Sequence, residues 1–411
     1  MSNLQVLNVI KCIMKIKQHL NRRGFLKSSV FGAAGALIST AAIAGKAKDE
    51  PKIIKRRLGK TDIELPVVSF GVMRSDNVGL VKSAYDMGMV HFDTAHGYQE
   101  GRNETMLGEL FKSVPRESFV LSTKVYPDDI NRQTGEMGPG ATKESILTKF
   151  DLSLQRLQMS YVDIVYFHGV SSRDTALAPQ MLEAFDELKK KGKARYVGMS
   201  THNNEPDIIQ AAIDSNFYDV VLTAYNFKQE HAEKIKEKIA LAAEKGIGIV
   251  AMKTMAGGFM DKERQRPIDC KAALKWVLQD VNVSTSIPGI VAYDQLMQNF
   301  SVMESLEFTE EEKAHLEEAK LEAGLYCDGC KLCLGQCKKH LPVNELMRAY
   351  MYTYGYRHLD DAFAVLADAG VTSDPCANCD GCTVQCPKGF QVAGRIADVS
   401  RLSAIPRDLF A

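Results

Sequence analysis

The sequence predicts an α/β protein: a (β/α)8 TIM barrel followed by a smaller, mainly helical carboxyl-terminal domain, with a leader in front. Three observations carry this expectation. From about residue 67 to 305, short apolar runs alternate eight times with longer amphipathic stretches, and that number of units in this length suits a closed barrel. No Gly-x-Gly-x-x-Gly follows the first run, which counts against the alternative of a doubly wound sheet. Eight of the ten cysteines lie between Cys327 and Cys386, so one end of the chain is chemically unlike the rest. The segments implied are 1–44, 51–320 and 321–411.

The leader comes first. Residues 1–44 hold six Lys or Arg and no acidic residue; an uncharged Ala- and Gly-rich stretch then ends in Ala42-Ile43-Ala44. A basic region, an apolar region and a small-residue site follow in the order of an export signal. A membrane anchor is the alternative, but this stretch from Ser28 to Gly45 is weakly apolar and only just long enough to span, so no stable membrane insertion is expected. Asn21-Arg22-Arg23-Gly24-Phe25-Leu26-Lys27 resembles the twin-arginine signal, which implies a periplasmic or otherwise exported protein that leaves the cytoplasm already folded. Met14 is the expected initiator. Fifty-one basic residues balance 51 acidic ones over the whole chain, and removal of the leader leaves a net charge of about −6. Nothing in this balance calls for a nucleic-acid partner.

The barrel strands are expected at Val67–Met73, Met89–Ala95, Phe119–Val125, Val162–His168, Arg195–Ser200, Val220–Tyr225, Gly248–Lys253 and Val283–Ile287. Between them, Ile146, Phe150, Leu154 and Leu157 fall on one helical face, as do Ile235, Ile239 and Ala242. A barrel of this kind places its chemistry at the carboxyl ends of the strands. Asp93 ends the second strand, with Tyr98 just beyond; Lys124 ends the third and His168 the fourth. Each leaves an apolar run, where an ionisable group is costly unless paired.

Here the sequence resembles the aldo-keto reductase family, over roughly residues 53–305 and most specifically in Asp93-Thr94-Ala95-x-x-Tyr98. The resemblance implies that Tyr98, Lys124, Asp93 and His168 form a catalytic tetrad acting on a small carbonyl or alcohol with a nicotinamide cofactor. The chemistry is coherent. A free tyrosine keeps its proton until pH near 10. A neighbouring ammonium favours the phenolate, and a carboxylate keeps that ammonium charged. Tyr98 would then be the general acid, Lys124 would tune it, Asp93 would fix Lys124, and His168 would orient the carbonyl oxygen. His96 is a further candidate for the pocket, or an ordinary loop residue.

By the same resemblance, Ser200 and Asn203 would hold the nicotinamide amide and Tyr225 would stack on its ring. Lys253, Gly289 and Asn299 are the remaining candidate nucleotide contacts, with Pro288–Asn299 at the adenosine end. Two departures stand out. Gln99 replaces the glycine that often follows the motif tyrosine, and no Lys or Arg occurs between Lys275 and Lys313. A 2′-phosphate without cations loses its strongest contacts, so NAD(P) is expected to bind with no marked preference for NADPH.

Cys327, Cys330, Cys333 and Cys337 form Cys-x2-Cys-x2-Cys-x3-Cys, and Cys376, Cys379, Cys382 and Cys386 repeat the spacing before Pro387. This is the run of [4Fe–4S] ligation, and two runs suit two clusters, the fourth cysteine of each run serving the other cluster. Structural zinc would use separated Cys-x2-Cys knuckles instead; Lys338 in place of proline leaves a single cluster open. A helical pattern from Val343 to about Ala369 separates the runs, a spacing that resembles α-helical ferredoxin modules. Tyr350, Tyr352, Tyr354 and Tyr356 within it are candidates for a cluster cover, a docking face or ordinary packing. Cys270 reads as a buried thiol.

Together these parts describe an exported oxidoreductase exchanging electrons with a redox protein partner through its clusters. The alternative is an electron-transfer or binding subunit whose barrel does not turn over. Substrate identity would lie in loops such as 127–141 and 256–266.

Overall fold

Alternating apolar runs become eight parallel strands in the computed structural model, which describes residues 52–131, 135–260, 265–321, 326–327 and 329–406. The export signal, with Arg22, Arg23 and Met14, lies outside the described residues. The chain divides into Met1–Glu50 and one compact unit, Pro51–Ala411; the following concerns that unit.

A hairpin the sequence reading had not anticipated comes first: β1 (Lys55–Arg57) and β2 (Glu64–Pro66) pair antiparallel. The barrel strands follow as β3 (Phe70–Gly71), β4 (His91–Asp93), β5 (Val120–Val125), β6 (Val162–Phe167), β7 (Ala194–Thr201), β8 (Val220–Ala224), β9 (Gly248–Met252) and β10 (Val283–Ser286). They lie in chain order, all parallel. Parallel bridges Val68–Ser286 and Gly71–Gly289 join the first strand to the last and close the sheet. All eight expected strands are present, most of them shorter than the apolar runs that announced them, because ladder pairing stops where the chain bends into its loops.

Each strand is followed by a helix of at least eight residues: α1 (Val78–Asp86), α2 (Arg102–Phe111), α3 (Lys143–Leu157), α4 (Pro179–Lys190), α5 (Glu205–Ser215), α6 (Ala232–Glu244), α7 (Cys270–Leu278) and α8 (Tyr293–Glu304). Starts are set by side-chain caps, as where Asn77 accepts from Leu80 N and Asp269 from Ala272 N. The predicted face of α3 is buried at Ile146, Phe150, Leu154 and Leu157, and that of α6 at Ile235, Ile239 and Ala242. These faces form the main core against the outside of the sheet. A second core fills the barrel's interior: Ile164, Tyr166, Val220, Leu222 and Val250 pack with Leu58, Ile63 and Leu65 of the hairpin. The hairpin thus plugs the amino-terminal end, which leaves the carboxyl-terminal end of the strands for chemistry.

Helix α9 (Glu310–Leu321) is fixed to α7 by the buried Lys275–Glu312 pair at 2.7 Å. Beyond it lie α10 (Val343–Tyr350), a π-helical turn over Met351–Tyr356, α11 (Leu359–Asp368) and α12 (Val392–Ser400). The expected single helical stretch from Val343 to Ala369 is therefore broken. Arg357 has φ of 53°, a left-handed residue that ends the run. Val343, Leu346, Met347, Leu366, Ile396 and Val399 form a separate small core, and five of the eight cysteines pack on or in it. Among the described residues, no helix is long and apolar enough to cross a membrane.

Candidate active site

The His-Phe-Asp of β4 turns His91 and Asp93 to the same side, as period two requires. Both are buried, and Lys124 and Ser122 of β5 meet them. The Lys124 ammonium is paired with the Asp93 carboxylate and donates to Thr94 O at 2.7 Å. Ser122 Oγ donates to the other Asp93 oxygen at 2.7 Å. Its single hydrogen is then spent, so the 3.0 Å contact with His91 Nε2 makes His91 the donor and fixes the Nε2–H tautomer. Burial lowers the His91 pKa to about 4, so this imidazole is neutral.

Burial also pushes Lys124 below its ordinary value, while Asp93 opposes the shift. The pair keeps a charge in a site that would otherwise expel it. Lys124 Nζ stands 4.9 Å from the centroid of the Tyr98 ring. The His168 ring meets Tyr98 edge-on at 5.8 Å and Tyr126 at 5.9 Å. The four residues named from the sequence therefore converge at one point of the barrel mouth, and Tyr126, one position past β5, joins them. His91 and Ser122 were missed; the signal was their two-residue offset from Asp93 and Lys124.

In the turn carrying Tyr98, Gln99 and Glu100 have φ of 50° and 56°, the region where glycine is the usual occupant. Gln99 Nε2 donates to Met73 O at 3.3 Å. His96 turns away, its Nδ1 lying 3.0 Å from Ser153 Oγ of α3. Burial, with Arg156 and Lys149 nearby, lowers its pKa to about 4.

Asp93, Tyr98, Lys124, Tyr126 and His168 line a cavity of about 1270 Å³ at the carboxyl ends of the strands. Ser200, Lys253, Gly289 and Asn299 line it too. Ser200 Oγ accepts from Gly169 N at 2.9 Å, and Asn299 Nδ2 donates to Gln295 O at 2.8 Å. Two candidates stand elsewhere. Asn203 faces a smaller cavity of about 100 Å³ beside Tyr326 and Cys327. Tyr225 is buried, its ring 5.1 Å from that of Trp276, and it is not among the residues lining the large cavity. The segments 127–131 and 257–259, from the loops expected to carry specificity, do line the large cavity. So does Cys270, with Asn299 Nδ2 3.7 Å from its sulfur and its thiol pushed up to about 12 by burial and Asp269.

Cys270 and the eight carboxyl-terminal cysteines are free thiols. Burial, and after it the neighbouring sulfurs of Cys330 and Cys386, raises the Cys333 pKa. Cys376 is raised to about 11 by burial and Asp374, then by Cys379, Cys382 and Cys337. The last cysteine of each run thus neighbours members of the other run. Cys337, Cys376, Cys379 and Cys382 also line one cavity of about 180 Å³, and Gly329 N donates to Cys327 Sγ at 3.4 Å. Among the described residues, no three His, Cys, Asp or Glu side chains are grouped closely enough to hold a single metal ion.

Comparison with known proteins agrees with the barrel. Residues 69–272 match the Aldo/keto reductase family. The chain is 25% identical over 299 residues to L-galactose dehydrogenase of Arabidopsis thaliana, covering 62% of this chain and 90% of that one. It is 23% identical over 322 residues to L-glyceraldehyde 3-phosphate reductase of Escherichia coli O157:H7, covering 64% and 91%. Aldo-keto reductase AKR11C1 from Bacillus halodurans, in its holo form, superposes with a TM-score of 0.53 at 25% identity, covering 65% of this chain and 96% of that structure. Residues 69–272 therefore form an aldo/keto reductase family domain, and the protein is an oxidoreductase resembling the nicotinamide-dependent aldo-keto reductases.

Proposed function

We propose that this protein is an exported oxidoreductase that interconverts a small carbonyl compound and its alcohol in the barrel and exchanges electrons through its carboxyl-terminal cysteines. The observation that carries the reading is the Lys124 ammonium, buried on Asp93 and held 4.9 Å from the Tyr98 ring. A cation there stabilises the phenolate, so Tyr98 can release its proton to a developing alkoxide and take it back in the reverse direction. Asp93 keeps Lys124 charged and, through Ser122 and Thr94, in place. His168, edge-on to Tyr98, orients the carbonyl oxygen. A nicotinamide nucleotide, when bound, supplies or accepts the hydride.

The cavity fits such a ligand. Gly258, with φ of 84°, offers open backbone to it, with nothing within 4 Å of where a Cβ would stand. Ser200, Gly289 and Asn299 are the side we assign to the nucleotide. At its far end Asp294, Gln295 and Gln298 of α8 face the cavity. A carboxylate and two amides there favour a ribose hydroxyl over a phosphate, which supports binding without preference for NADPH.

The thiols support two [4Fe–4S] clusters, one on Cys327, Cys330, Cys333 and Cys386 and the other on Cys376, Cys379, Cys382 and Cys337. The neighbourhoods of Cys333 and Cys376 match that division, and thiols that raise one another's pKa are relieved when a cation takes the charge. When bound, the clusters carry single electrons to or from a redox protein partner. The leader's twin arginines support export in a folded, loaded state.

Replacing Tyr98 by phenylalanine tests the central claim. Carbonyl reduction should fall by about 10²–10⁴ while nucleotide binding and the visible absorption of the clusters persist. Retained turnover would refute it.

A further inference from the structure

The large cavity is built by two parts of the chain. Its floor is the barrel, but Arg348 of α10 and Tyr352 and Tyr356 of the π-helical turn form part of its wall. Lys253 meets them from the end of β9. It has φ of 59°, a left-handed conformation that a lysine keeps only where its surroundings impose it, and Asn226 Nδ2 holds its carbonyl at 3.2 Å. This backbone carries the ammonium to 4.7 Å from the Tyr356 ring and 5.4 Å from the Tyr352 ring. Among the described residues, no carboxylate lies within ion-pair distance of it.

Two more cations gather there. Arg74, just past β3, donates to Tyr356 O at 2.5 Å and sits 5.6 Å from that ring. Arg348 pairs with Glu345 and lies 2.8 Å from His202 Nε2. Burial lowers the Lys253 pKa, Tyr352 and Asp361 oppose the shift, and Arg348 and Arg74 deepen it. Asp361 is shared with His358 at 3.2 Å. Three cations, Lys253, Arg74 and Arg348, thus meet on one wall of the cavity, with Glu345 and Asp361 as carboxylates beside them.

We propose that this seam is an anion-binding site: Lys253, backed by Arg74 and Arg348 and walled by Tyr352 and Tyr356, takes a carboxylate or phosphate group of the ligand in the barrel. The carboxyl-terminal domain is then part of the binding site as well as a carrier of thiols. This rests on the barrel being the ligand-binding cavity proposed above. Two sources share the chemistry, an acid group on the substrate and the diphosphate of the dinucleotide.

Calorimetric titration of the Tyr98→Phe protein, which binds without turnover, separates them. The probes are NAD⁺, and pyruvate against its uncharged amide, each with the parent, Lys253→Met, Lys253→Gln and Tyr356→Ala. Loss of a charge-assisted contact should weaken the affected ligand about tenfold or more. Tyr356→Ala should weaken the same ligand, and Lys253→Arg should restore most of the affinity. Weakening of NAD⁺ identifies the diphosphate; loss of the preference for pyruvate over its amide identifies a substrate carboxylate. The proposal is overturned if both lysine variants, with melting curves like the parent's, bind NAD⁺ as the parent does and no lysine-dependent preference for pyruvate exists. Absence of carbonyl reduction in the wild-type protein would count against the proposed reaction and leave this result standing.

Discussion

Asp93→Asn separates the structural from the catalytic part of the buried pair. The Lys124 and Asp93 side chains are 2% and 3% exposed, so water screens neither. Breaking a pair of this kind by removing one partner costs about 3–5 kcal/mol, because the surviving charge is left uncompensated. Asparagine keeps an oxygen to accept from Ser122 or Lys124, which places the expected loss near the lower end, about 3 kcal/mol at pH 7. The pH dependence follows from the direction of the Lys124 shift. Burial already holds its folded pKa below the ordinary value, so the unfolded chain binds this proton more tightly and the group's contribution falls as pH drops through the folded pKa. Without Asp93 that pKa falls further. The variant's deficit is then greatest at neutral pH and shrinks as pH rises past the variant's lowered folded pKa, where its buried lysine no longer carries the charge Asp93 would have compensated; the unfolded lysine is common to both proteins and cancels. Urea unfolding of both proteins at pH 7 and pH 9.5 measures this, with turnover followed in parallel. A deficit below about 1 kcal/mol at pH 7, set against the magnitude for a buried pair, or one that does not shrink at pH 9.5, would refute the reasoning.

The nucleotide site predicts that NAD⁺ and NADP⁺ bind within about threefold of each other, since Asp294, Gln295 and Gln298 face the end assigned to the ribose; fluorescence titration with both measures it, and a large preference for NADP⁺ would contradict the assignment. The cysteine neighbourhoods predict paired phenotypes. Cys386→Ser should remove the same paramagnetic signal as Cys330→Ser, and Cys337→Ser the same as Cys376→Ser, in anaerobically purified, reduced protein. Grouping by sequence run instead would overturn the crossed division of ligands.

The barrel was legible because its cores repeat locally. Short apolar runs marked each strand, and the helical faces of α3 and α6 lie where the spacing put them. The tetrad was legible because strand order alone brings Asp93, Lys124 and His168 to one rim. The hairpin was not, since Lys55–Arg57 carries charge where a strand pattern expects alternation, and its buried Leu58, Ile63 and Leu65 lie around the turn. The surroundings of Tyr225 and Tyr356 were not legible for a common reason: an aromatic's role depends on which surface reaches it, and these contacts are distant in sequence. Tyrosines at every second position have no obvious helical meaning. The wider π turn resolves them, stacking Tyr350 with Tyr354 at 4.5 Å and Tyr352 with Tyr356 at 5.9 Å. Tyr350 packs on the core that holds cysteines, while Tyr352 and Tyr356 face the barrel cavity.

Tyr326, next to the first cysteine, is wedged between two glycines. A Cβ on Gly257 would come within 2.8 Å of its ring, and one on Gly355 within 3.2 Å. Gly257 belongs to the barrel loop after β9 and Gly355 to the π-helical turn. The ring is a tongue in a slot whose two sides come from opposite halves of the compact unit, and a methyl group on the Gly257 side would run into it. Grafting this thiol-bearing module onto another barrel would therefore demand a matching absence of side chain in the acceptor loop.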